Sequence, residues 1–279
     1  MFHIEKMVAD DFPFAVQLTD TMNWNMIEED FKFMIELEPN GCFVLWDDSE
    51  KIGVATSISF GKVGWFGNLI VHEDHRERGA GTLLLKHAID YLKSKNVETI
   101  GLYAYPQLLR FYGNLGFRSD EDFLVLRGKA FSSTTRSSLK EVKEENMEAI
   151  IDFDNRCFGA SRRKLLKHIL FNADNIGYMS TDNDAITGYV AAKVYEGTAE
   201  VGPAVCNQSR DDIAIALLRA VLDRLKGFEI FMCVTRRSTA VLDMLFKAGF
   251  KEDFRVARMF SGPAVCRSCI YIAESLERG

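Results

Sequence analysis

An internal repeat limits the possible folds of this chain more than any other feature of its sequence. At an offset of 133 residues, the middle sections of the two halves align without a gap. The Leu-Leu pair at 84–85 falls on the pair at 217–218, and the Gly-Phe pair at 116–117 falls on the pair at 249–250. A repeat of this length indicates two copies of one domain, although two short β-α-β segments can also align by chance.

A segment rich in serine and threonine, "KAFSSTTRSSLK" at residues 129–140, lies between the two copies. It has no apolar periodicity, which is typical of a linker. We therefore expect a first domain at residues 1–128, the linker at 129–140, a second domain at 141–265 and a tail at 266–279. A chain of 279 residues is long enough for two domains of ordinary size.

Alternating strand and helix patterns place each copy in the α/β class. In the first copy, "GCFVLWDD" and "KIGVATSISFG" are predicted strands that meet at a polar hairpin, and "GWFGNLIV" is a third strand. The segment "TLLLKHAIDYLKSK" is a predicted helix, because its apolar residues Leu84, Ala88 and Leu92 recur near the helical period. A strand, a short helix and a last strand, "DFLVLRG", complete the copy.

Composition and charge exclude several classes of partner. Hydrophobic residues make up 47% and charged residues 27% of the chain, which is the balance of a soluble globular protein. The net charge of -6 disfavours general binding to nucleic acids or anionic membranes, which usually requires a basic excess. No stretch approaches the ~20 apolar residues of a membrane span, and the acidic segment "MFHIEKMVADD" is unlike a signal peptide. We therefore expect a cytoplasmic protein with no nucleic-acid or membrane partner.

The cysteines and histidines do not form a metal-binding pattern. Most of the six cysteines lie in apolar runs, so in a reducing compartment they are expected to be free and buried. Cys266 and Cys269 form one C-x-x-C pair, but zinc sites usually add a second pair of cysteines or histidines, and none follows. The five histidines also lack the spacing of metal ligands. We therefore expect no metal.

The segment "LIVHEDHRERGAG", residues 69–81, joins a predicted strand to the N-terminus of the predicted helix. The first backbone N–H groups of a helix lack partners within the helix and favour anions. Gly79 and Gly81 let the backbone curl around a ligand, and Arg76 and Arg78 add positive charge at the rim. Neither the Walker loop nor the dinucleotide fingerprint occurs. By itself the segment is either a phosphate-binding loop or an ordinary glycine turn that caps a helix.

Two motifs at this spacing resemble the GNAT superfamily, the Gcn5-related acyl-CoA N-acyltransferases. Members of this family carry an [RQ]-x-x-G-x-[GA] loop, matched here at residues 76–81, and often a Y-x-x-x-G-F ending, matched at 112–117. The resemblance covers nearly all of residues 1–128, and "MNWN", "PNGCFV" and "EVGPAV" further resemble a tandem subgroup. It implies two tandem GNAT-like domains of the α/β (α+β) class, each with a mixed, mostly antiparallel sheet flanked by helices.

The resemblance also implies acetyl-CoA as the co-substrate and indicates the residues that bind it. The strand edge at Leu69, Ile70 and Val71 would pair with the pantetheine arm through backbone groups. The loop would cradle the pyrophosphate through the backbone amides of Arg76, Glu77, Arg78, Gly79, Ala80, Gly81 and Thr82. Many family members have asparagine where this chain has Tyr105, a departure that affects some of the implied coenzyme contacts.

For catalysis, the resemblance indicates Tyr112 as the general acid that protonates the leaving thiolate, although the residue also fits a plain packed tyrosine. The attacking amine must lose a proton, because a lysine-like amine has a pKa of about 10.4. The usual base in this family is an acid on the strand before the loop, and this strand has none. The alternatives are His72, which also fits a solvated turn, and a water held by Asn68 or by a backbone carbonyl. The segments "DDFPFAVQLTDTM" and "NMIEEDFKFMIEL" are the first two predicted helices of the chain. Trp24 and Asn25 join them, where the acceptor pocket lies in this family.

The second copy lacks the residues that carry this chemistry in the first copy. The residues that replace Arg78, Gly79, Gly81 and Tyr112 at the same offset are Asp211, Asp212, Ala214 and Leu245. Two acids at the position of the phosphate would repel it. We therefore expect a degenerate second copy, with coenzyme bound by the first copy alone.

The predicted function is N-acetyl transfer from acetyl-CoA directly to a primary amine. A small amine or an amino acid is preferred over a protein as the acceptor, so the expected partners are a coenzyme A thioester and an amine. A non-catalytic acyl-CoA sensor or interaction module is the main alternative, because it needs no base. An unrelated α/β binding protein is the second alternative, and in that case the glycine loop is only a turn.

Overall fold

The structure is a computed structural model that describes residues 1–132, 139–265 and 268–279. Half of the predicted linker therefore lies outside the described residues, as does Cys266 of the C-x-x-C pair. Within the described ranges, no helix is both long enough and apolar enough to cross a membrane.

The chain divides into two compact units. The first comprises Met1–Leu102 with Arg278, and the second comprises Tyr103–Glu277 with Gly279. The sequence predicts a domain boundary at residue 128, where the first copy ends, so the compact units divide earlier than the sequence copies do. The reason is that the last strand of the first copy pairs with strands of the second copy.

The first unit is built around a mixed sheet. Its strands are β1 (Phe2–Lys6), β2 (Cys42–Asp47), β3 (Glu50–Ser59), β4 (Val63–Val71) and β5 (Thr99–Ala104), which begins in this unit. Its helices are α1 (Phe12–Asp20), α2 (Glu28–Leu37) and α3 (Ala80–Ser94). The strands follow the order β1-β2-β3-β4-β5, antiparallel as far as β4, and β4 is parallel to β5. This is the mixed, mostly antiparallel sheet that the resemblance implies.

Helix α3 connects the parallel strands β4 and β5, because parallel neighbours require a crossover connection. Its apolar stripe, with Leu84, Leu85, Ala88 and Leu92, is buried, as the helical period of the sequence predicts. A Cβ atom added to Gly64 of β4 would lie 3.0 Å from the Leu92 side chain. The glycine therefore allows α3 to pack closely against the strand.

The second unit contains the remaining elements. Its helices are α4 (Leu109–Gly113), α5 (Met147–Phe158), α6 (Arg163–Leu170), α7 (Asp211–Arg224) and α8 (Thr239–Lys247). Its strands are β6 (Arg118–Lys129), β7 (Lys140–Glu141), β8 (Ile176–Asp182), β9 (Ala185–Val194), β10 (Thr198–Cys206), β11 (Glu229–Thr235), β12 (Lys251–Ser261) and β13 (Ile270–Ile272). They follow the order β12-β6-β11-β13-β10-β9-β8-β7, with an additional parallel pairing between β10 and β11.

The order of elements confirms the two copies that the sequence predicts. From β1 to β6, the chain runs strand, helix, helix, three strands, helix, strand, helix, strand. The described elements from β7 to β12 repeat this order. Strand β13 has no counterpart in the first copy, so it is an addition to the repeated domain.

Strand β6 belongs to the first copy in sequence but pairs with strands of the second copy. It lies between β11 and β12 and is antiparallel to both, so that Phe123 pairs with Thr235 on one side and with Val256 on the other. Leu124 and Leu126 enter the main apolar core of the second unit, while Phe123 enters a smaller cluster. Both faces of β6 are therefore buried, which agrees with its continuous apolar run.

A buried ion pair lies inside the second unit. The Arg162 guanidinium donates to both carboxylate oxygens of Asp154 at 3.1 and 2.7 Å, and both side chains are inaccessible to solvent. The Tyr189 hydroxyl donates to the same carboxylate at 2.6 Å, and the Phe158 ring centroid lies 4.3 Å from the guanidinium carbon. The Asp154 carboxylate therefore accepts hydrogen bonds from two buried side chains, Arg162 and Tyr189, whose polar groups have no access to water.

We predict that Asp154→Ala lowers the free energy of unfolding by about 3–5 kcal/mol, because it leaves a buried guanidinium without its carboxylate. The matched control is Glu148→Ala, on the same helix α5. It removes a carboxylate that binds the neighbouring Arg163 through two hydrogen bonds of 2.6 Å, but at the exposed surface. The control should change stability little. Urea unfolding curves measure both, and equal losses in the two variants would contradict the prediction.

Candidate functional site

The loop between β4 and α3, residues 72–79, is where the sequence predicts an anion site. Gly79 is the N-cap of α3 and has a left-handed backbone, with φ +81°, and Glu77 is also left-handed, with φ +61°. The Gly79 carbonyl accepts the amide N–H of Leu83 at 2.9 Å, which begins the helix. The amides that precede Leu83 in the first turn have no acceptor within the helix, so they are available to an anion.

The surroundings of Gly79 show why a glycine is needed there. A Cβ atom added to Gly79 would meet no atom within 4 Å, so the position is open and glycine serves its positive φ angle. The loop residues 76–79 are exposed, whereas Gly81 and Thr82 are half-buried in the first turn of α3. A ligand from solvent can therefore reach the amides at the start of the helix.

The two arginines of the loop hold its shape. The Arg76 Nε atom donates to the Val71 carbonyl at the end of β4, at 2.9 Å. The Arg78 Nη1 atom lies 3.0 Å from the Asp47 carboxylate, and its guanidinium lies over the Phe2 ring at 5.1 Å. The sequence places both arginines at the rim of the anion site, and the structure adds that each one braces the loop against a strand.

His72 begins the same loop. Its backbone N–H donates to the Ile52 carbonyl of β3 at 2.8 Å, which holds the start of the loop against the sheet. Its Nδ1 atom is buried and has no hydrogen-bond partner among the described residues, with the Asp74 carboxylate 3.6 Å away, while 44% of the side chain is exposed. The adjacent His75 lies with its Nδ1 atom 3.5 Å from Asp47. Of the two imidazoles, His72 is the one more accessible to a substrate.

The edge of β4 that would receive the pantetheine arm is open beyond its first residues. The parallel pairing with β5 joins residues 63–65 to 99–101 and then ends. Ile70 and Val71 pair with β3 on their other side, opposite Val54 and Gly53. Among the described residues of the first unit, no strand pairs with the second edge of β4 at residues 69–71, although the Val71 carbonyl accepts from the Arg76 side chain. An extended ligand could pair with the rest of this edge.

Strand β4 contains a bulge at Asn68. The register against β3 shifts between the pairs Val54–Ile70 and Thr56–Gly67, and Asn68 has a left-handed backbone with φ +50°. The Asn68 side chain is buried, and within the described residues neither its amide nitrogen nor its oxygen has a hydrogen-bond partner. Buried amides are rarely left unpaired, so Asn68 is a candidate partner for a water or a ligand. Sequence reasoning identified Asn68 only as a possible holder of water.

Tyr112 lies on α4 and belongs to the second unit. It is buried between Phe111 and Phe117, with ring centroids at 5.0 and 6.0 Å. This burial raises the pKa of the Tyr112 hydroxyl well above its ordinary value, which makes the hydroxyl a weaker acid. The residue thus has the packing of a core tyrosine.

The predicted acceptor residues lie in the connection between α1 and α2, residues 21–27. Trp24 is half-buried, and its backbone N–H donates to the Thr19 carbonyl at 3.3 Å. Asn25 is exposed with a left-handed backbone, φ +51°. Met22 and Ile27 are exposed apolar residues of the same connection. This part of the first unit therefore presents an apolar surface rather than a charged one.

The corresponding loop of the second copy differs in length and charge. It spans residues 207–210, and α7 begins with Asp211 and Asp212. Arg210 binds the Asp212 carboxylate at 2.7 and 2.8 Å. The helix N-terminus that faces solvent in the first copy therefore carries its own anions in the second.

The described residues show neither a metal site nor a reactive thiol. They contain no group of three or more histidine, cysteine or acidic residues that would hold a metal ion. The described cysteines are free and buried, as predicted: Cys42, Cys157, Cys206, Cys233 and Cys269. Burial raises the pKa of the Cys42 thiol to about 12, and it raises those of Cys206 and Cys233 further. These thiols are protonated and unreactive at neutral pH.

Two family models match this chain. One, described as the acetyltransferase (GNAT) family, matches residues 4–117, and the other, described as an acetyltransferase (GNAT) domain, matches residues 150–268. A holothin acyltransferase from Pseudoalteromonas sp. (strain SANK 73390) is 21% identical over 261 residues, which are 92% of this chain and 87% of that protein.

Solved structures share the fold over nearly the whole chain. A putative acetyltransferase from Pyrococcus horikoshii has a TM-score of 0.81 at 20% identity, and the match covers 100% of this chain and 96% of that one. A tandem GNAT protein from the clavulanic acid biosynthesis pathway has a TM-score of 0.62 at 13% identity, over 95% of this chain and 100% of that one. With a GNAT model matched to each copy and tandem GNAT architecture among these structures, the chain belongs to the GNAT family of acetyltransferases.

Proposed function

We propose that this protein transfers an acetyl group from acetyl-CoA directly to a small primary amine, with the coenzyme bound by the first copy. The observation that carries the proposal is the succession of an open strand edge, a left-handed glycine and a helix N-terminus along β4, residues 72–79 and α3. An extended arm that ends in phosphates complements these features in this order. The family membership supports the same chemistry.

In this proposal, two sets of backbone groups bind the coenzyme. Leu69, Ile70 and Val71 lie along the edge of β4 that pairs with no strand, and this edge would face the amide groups of the pantetheine arm. The Val71 carbonyl already accepts from Arg76 Nε, so the remaining backbone groups would make the contacts. The pyrophosphate lies against the loop and first-turn amides of residues 76–82, where the positive end of the α3 dipole favours anions. Arg76 and Arg78 contribute positive charge while bracing the loop.

The reaction requires two proton movements. The neutral amine attacks the thioester carbonyl, a C–N bond forms and the C–S bond breaks, while the amine proton passes to a base. We assign the base to His72, directly or through a water, because its imidazole is accessible and near the Asp74 carboxylate. The coenzyme thiolate takes the proton of Tyr112, in the role that the family resemblance implies. The raised pKa values of the buried cysteines support direct transfer rather than an acyl-enzyme intermediate.

A small acceptor is supported by two observations. The connection between α1 and α2 presents Met22, Trp24 and Ile27, an apolar surface suited to the body of a small amine. The holothin acyltransferase, whose alignment covers 92% of this chain, is named for holothin rather than for a protein substrate. Small amines and amino acids are therefore the first acceptors to screen. The release of free coenzyme A is the signal that the screen measures.

We predict that Gly79→Asp lowers the affinity for acetyl-CoA at least tenfold, which corresponds to ~1.4 kcal/mol. The new carboxylate would stand at the anion site. Gly61→Asp is the matched control, because Gly61 has a similar φ of +88° and equally open surroundings, but lies in the hairpin before β4. Both variants carry a backbone strain of about 1–3 kcal/mol. Calorimetry should show a loss in Gly79→Asp alone, and unchanged binding by a folded Gly79→Asp protein would refute the loop assignment.

We predict that Tyr112→Phe lowers kcat by about tenfold or more with little change in the KM for acetyl-CoA. The substitution keeps the ring between Phe111 and Phe117 and removes only the proton donor, so its effect belongs to the transition state. Steady-state kinetics on the best acceptor measures both constants, and thermal unfolding serves as the packing control. A wild-type kcat would remove the hydroxyl from the mechanism. Tight acetyl-CoA binding without turnover of any amine would instead favour the acyl-CoA sensor.

We predict that His72→Gln lowers kcat/KM by about 10²-fold or more, the range typical of a lost general base. His75→Gln is the control, because the two rings are neighbours, with centroids 6.2 Å apart, and His75 is the less accessible of the two. Equal values of kcat/KM in the two variants would contradict the assignment of His72 as the general base and would favour a water held by Asn68. In that case Asn68→Leu should produce the larger loss.

A further inference from the structure

Strand β13 is inserted between two parallel strands of the second unit. Strands β10 and β11 pair directly through residues 198–200 and 229–231. Further along, Ile272 pairs with Ala204 of β10 on one side and with Val234 of β11 on the other. β13 therefore takes the position of a third strand where the direct pairing of β10 and β11 has ended.

The neighbouring residues continue this hydrogen bonding at both ends of β13. The Cys206 N–H donates to the Cys269 carbonyl at 2.9 Å, and the Ala273 N–H donates to the Cys233 carbonyl at 3.0 Å. We call residues 269–274 the inserted segment. Each of its residues is at most 9% exposed, so the segment is part of the interior rather than a strand laid on the surface.

The first copy shows what the inserted segment replaces. Strands β4 and β5 occupy the same places in the repeat as β10 and β11, and they too pair only at their beginnings, through residues 63–65 and 99–101. Beyond that point, the edge of β4 is the one assigned above to the pantetheine arm. The inserted segment occupies the corresponding edge of β10 in the second copy.

The N-terminus of α7 corresponds to the proposed phosphate site of the first copy, and it is also occupied by side chains of the protein. The Tyr271 hydroxyl of the inserted segment hydrogen-bonds the Asp211 carboxylate, and Asp211 is the first residue of α7. A carboxylate thus stands at the helix N-terminus that would otherwise attract a phosphate group, and its neighbour Asp212 is paired with Arg210.

The fit between the inserted segment and the sheet is close. A Cβ atom added to Gly202 of β10 would lie 2.1 Å from the Ala273 carbonyl oxygen, so a larger residue there would push the segment away. Glu274 is fully buried, and its carboxylate accepts from the Lys193 ammonium at 2.6 Å. The same ammonium lies 2.7 Å from Glu200, so the strand is held by a specific buried ion pair in addition to its backbone bonds.

We propose that the inserted segment is a built-in ligand that permanently occupies the coenzyme cleft of the second copy. The cleft has become a site for an extended peptide with a carboxylate side chain, and it is closed to acyl-CoA. The comparison between the copies rests on the proposed coenzyme site of the first. The occupation of the second cleft by residues 269–274 stands on the contacts within the second unit.

Hydrogen exchange with mass spectrometry on the full chain, with and without acetyl-CoA, tests this inference. The amides of residues 270–273 should exchange as slowly as those of β10 and β11, and acetyl-CoA should leave them unchanged. Calorimetry should give one acetyl-CoA per chain. Exchange as fast as that of the exposed turn at Tyr195, or a second acetyl-CoA that alters exchange of the segment, would overturn the proposal.

Two substitutions of glycine sharpen the test. Gly202→Ala should raise the exchange rates of residues 270–273 by at least ~10-fold relative to the rest of the unit, because the new methyl group displaces the Ala273 carbonyl. Gly177→Ala on β8 is the control, since the three atoms nearest to its Cβ belong to the side chains of Val142 and Leu170, at 3.1 Å or more, and neither residue is part of the inserted segment. Equal exchange of the segment in the two variants would contradict the inference.

A third variant covers the case in which Gly202→Ala does not fold. Glu274→Gln keeps the size of the side chain and removes its charge, and it should also accelerate exchange of the inserted segment. Unchanged exchange would argue against the ion pair as an anchor and against the proposal. If acetyl-CoA binds nowhere while residues 270–273 remain protected, the proposed function fails and the occupied second cleft does not.

Discussion

The short parallel pairing between the fourth and fifth strands of each copy is the constraint on which the rest depends. In the first copy it joins residues 63–65 to 99–101, and in the second copy 198–200 to 229–231. Backbone groups beyond the pairing must find other partners, because unpaired polar groups in a folded interior are costly. Each copy therefore contains a strand edge whose backbone N–H and C=O groups can be paired by an added strand or by an extended ligand.

The two copies meet this requirement in different ways. The first keeps an open edge, a long loop with left-handed Gly79 and a helix start without acids. The second has a shorter loop, acids at the start of α7 and β13 in the gap. An open edge suits a ligand that must enter and leave with each turnover, whereas a covalently attached strand suits a part that only needs to be stable.

Buried polar groups form pairs within the protein in both units. In the first, the Ser57 hydroxyl donates to the Gly41 carbonyl, and Tyr91 donates to the Glu38 carboxylate. In the second unit they are paired with each other, as Arg162 is with Asp154 and Lys193 with Glu274. In the first unit, the Asn68 amide at the bulge of β4 has no protein partner within the described residues. Paired groups specify and stabilise a fold, and an unpaired one is a reason to look for a ligand or an ordered water. The chemistry is accordingly sought at β4 and its loop.

Much of this organisation was readable from the sequence, because it depends on neighbours along the chain. The repeat predicted the order of elements, the helical period of Leu84, Ala88 and Leu92 predicted α3, and the glycine pattern predicted the turn before it. The family resemblance added the sheet type, which the matched models and the strand order confirm.

The tertiary structure alone decided which strands become neighbours. A strand pattern such as "DFLVLRG" has the same local preference whichever strand lies beside it, so the sequence did not reveal that β6 pairs with β11 and β12. For the same reason it did not reveal the bulge at Asn68, the bracing contacts of Arg76 and Arg78, or the insertion of β13. Apart from the contact of Arg76 with Val71, which lies five residues away, these features depend on contacts between residues far apart in the chain, and only the folded sheet brings such residues together.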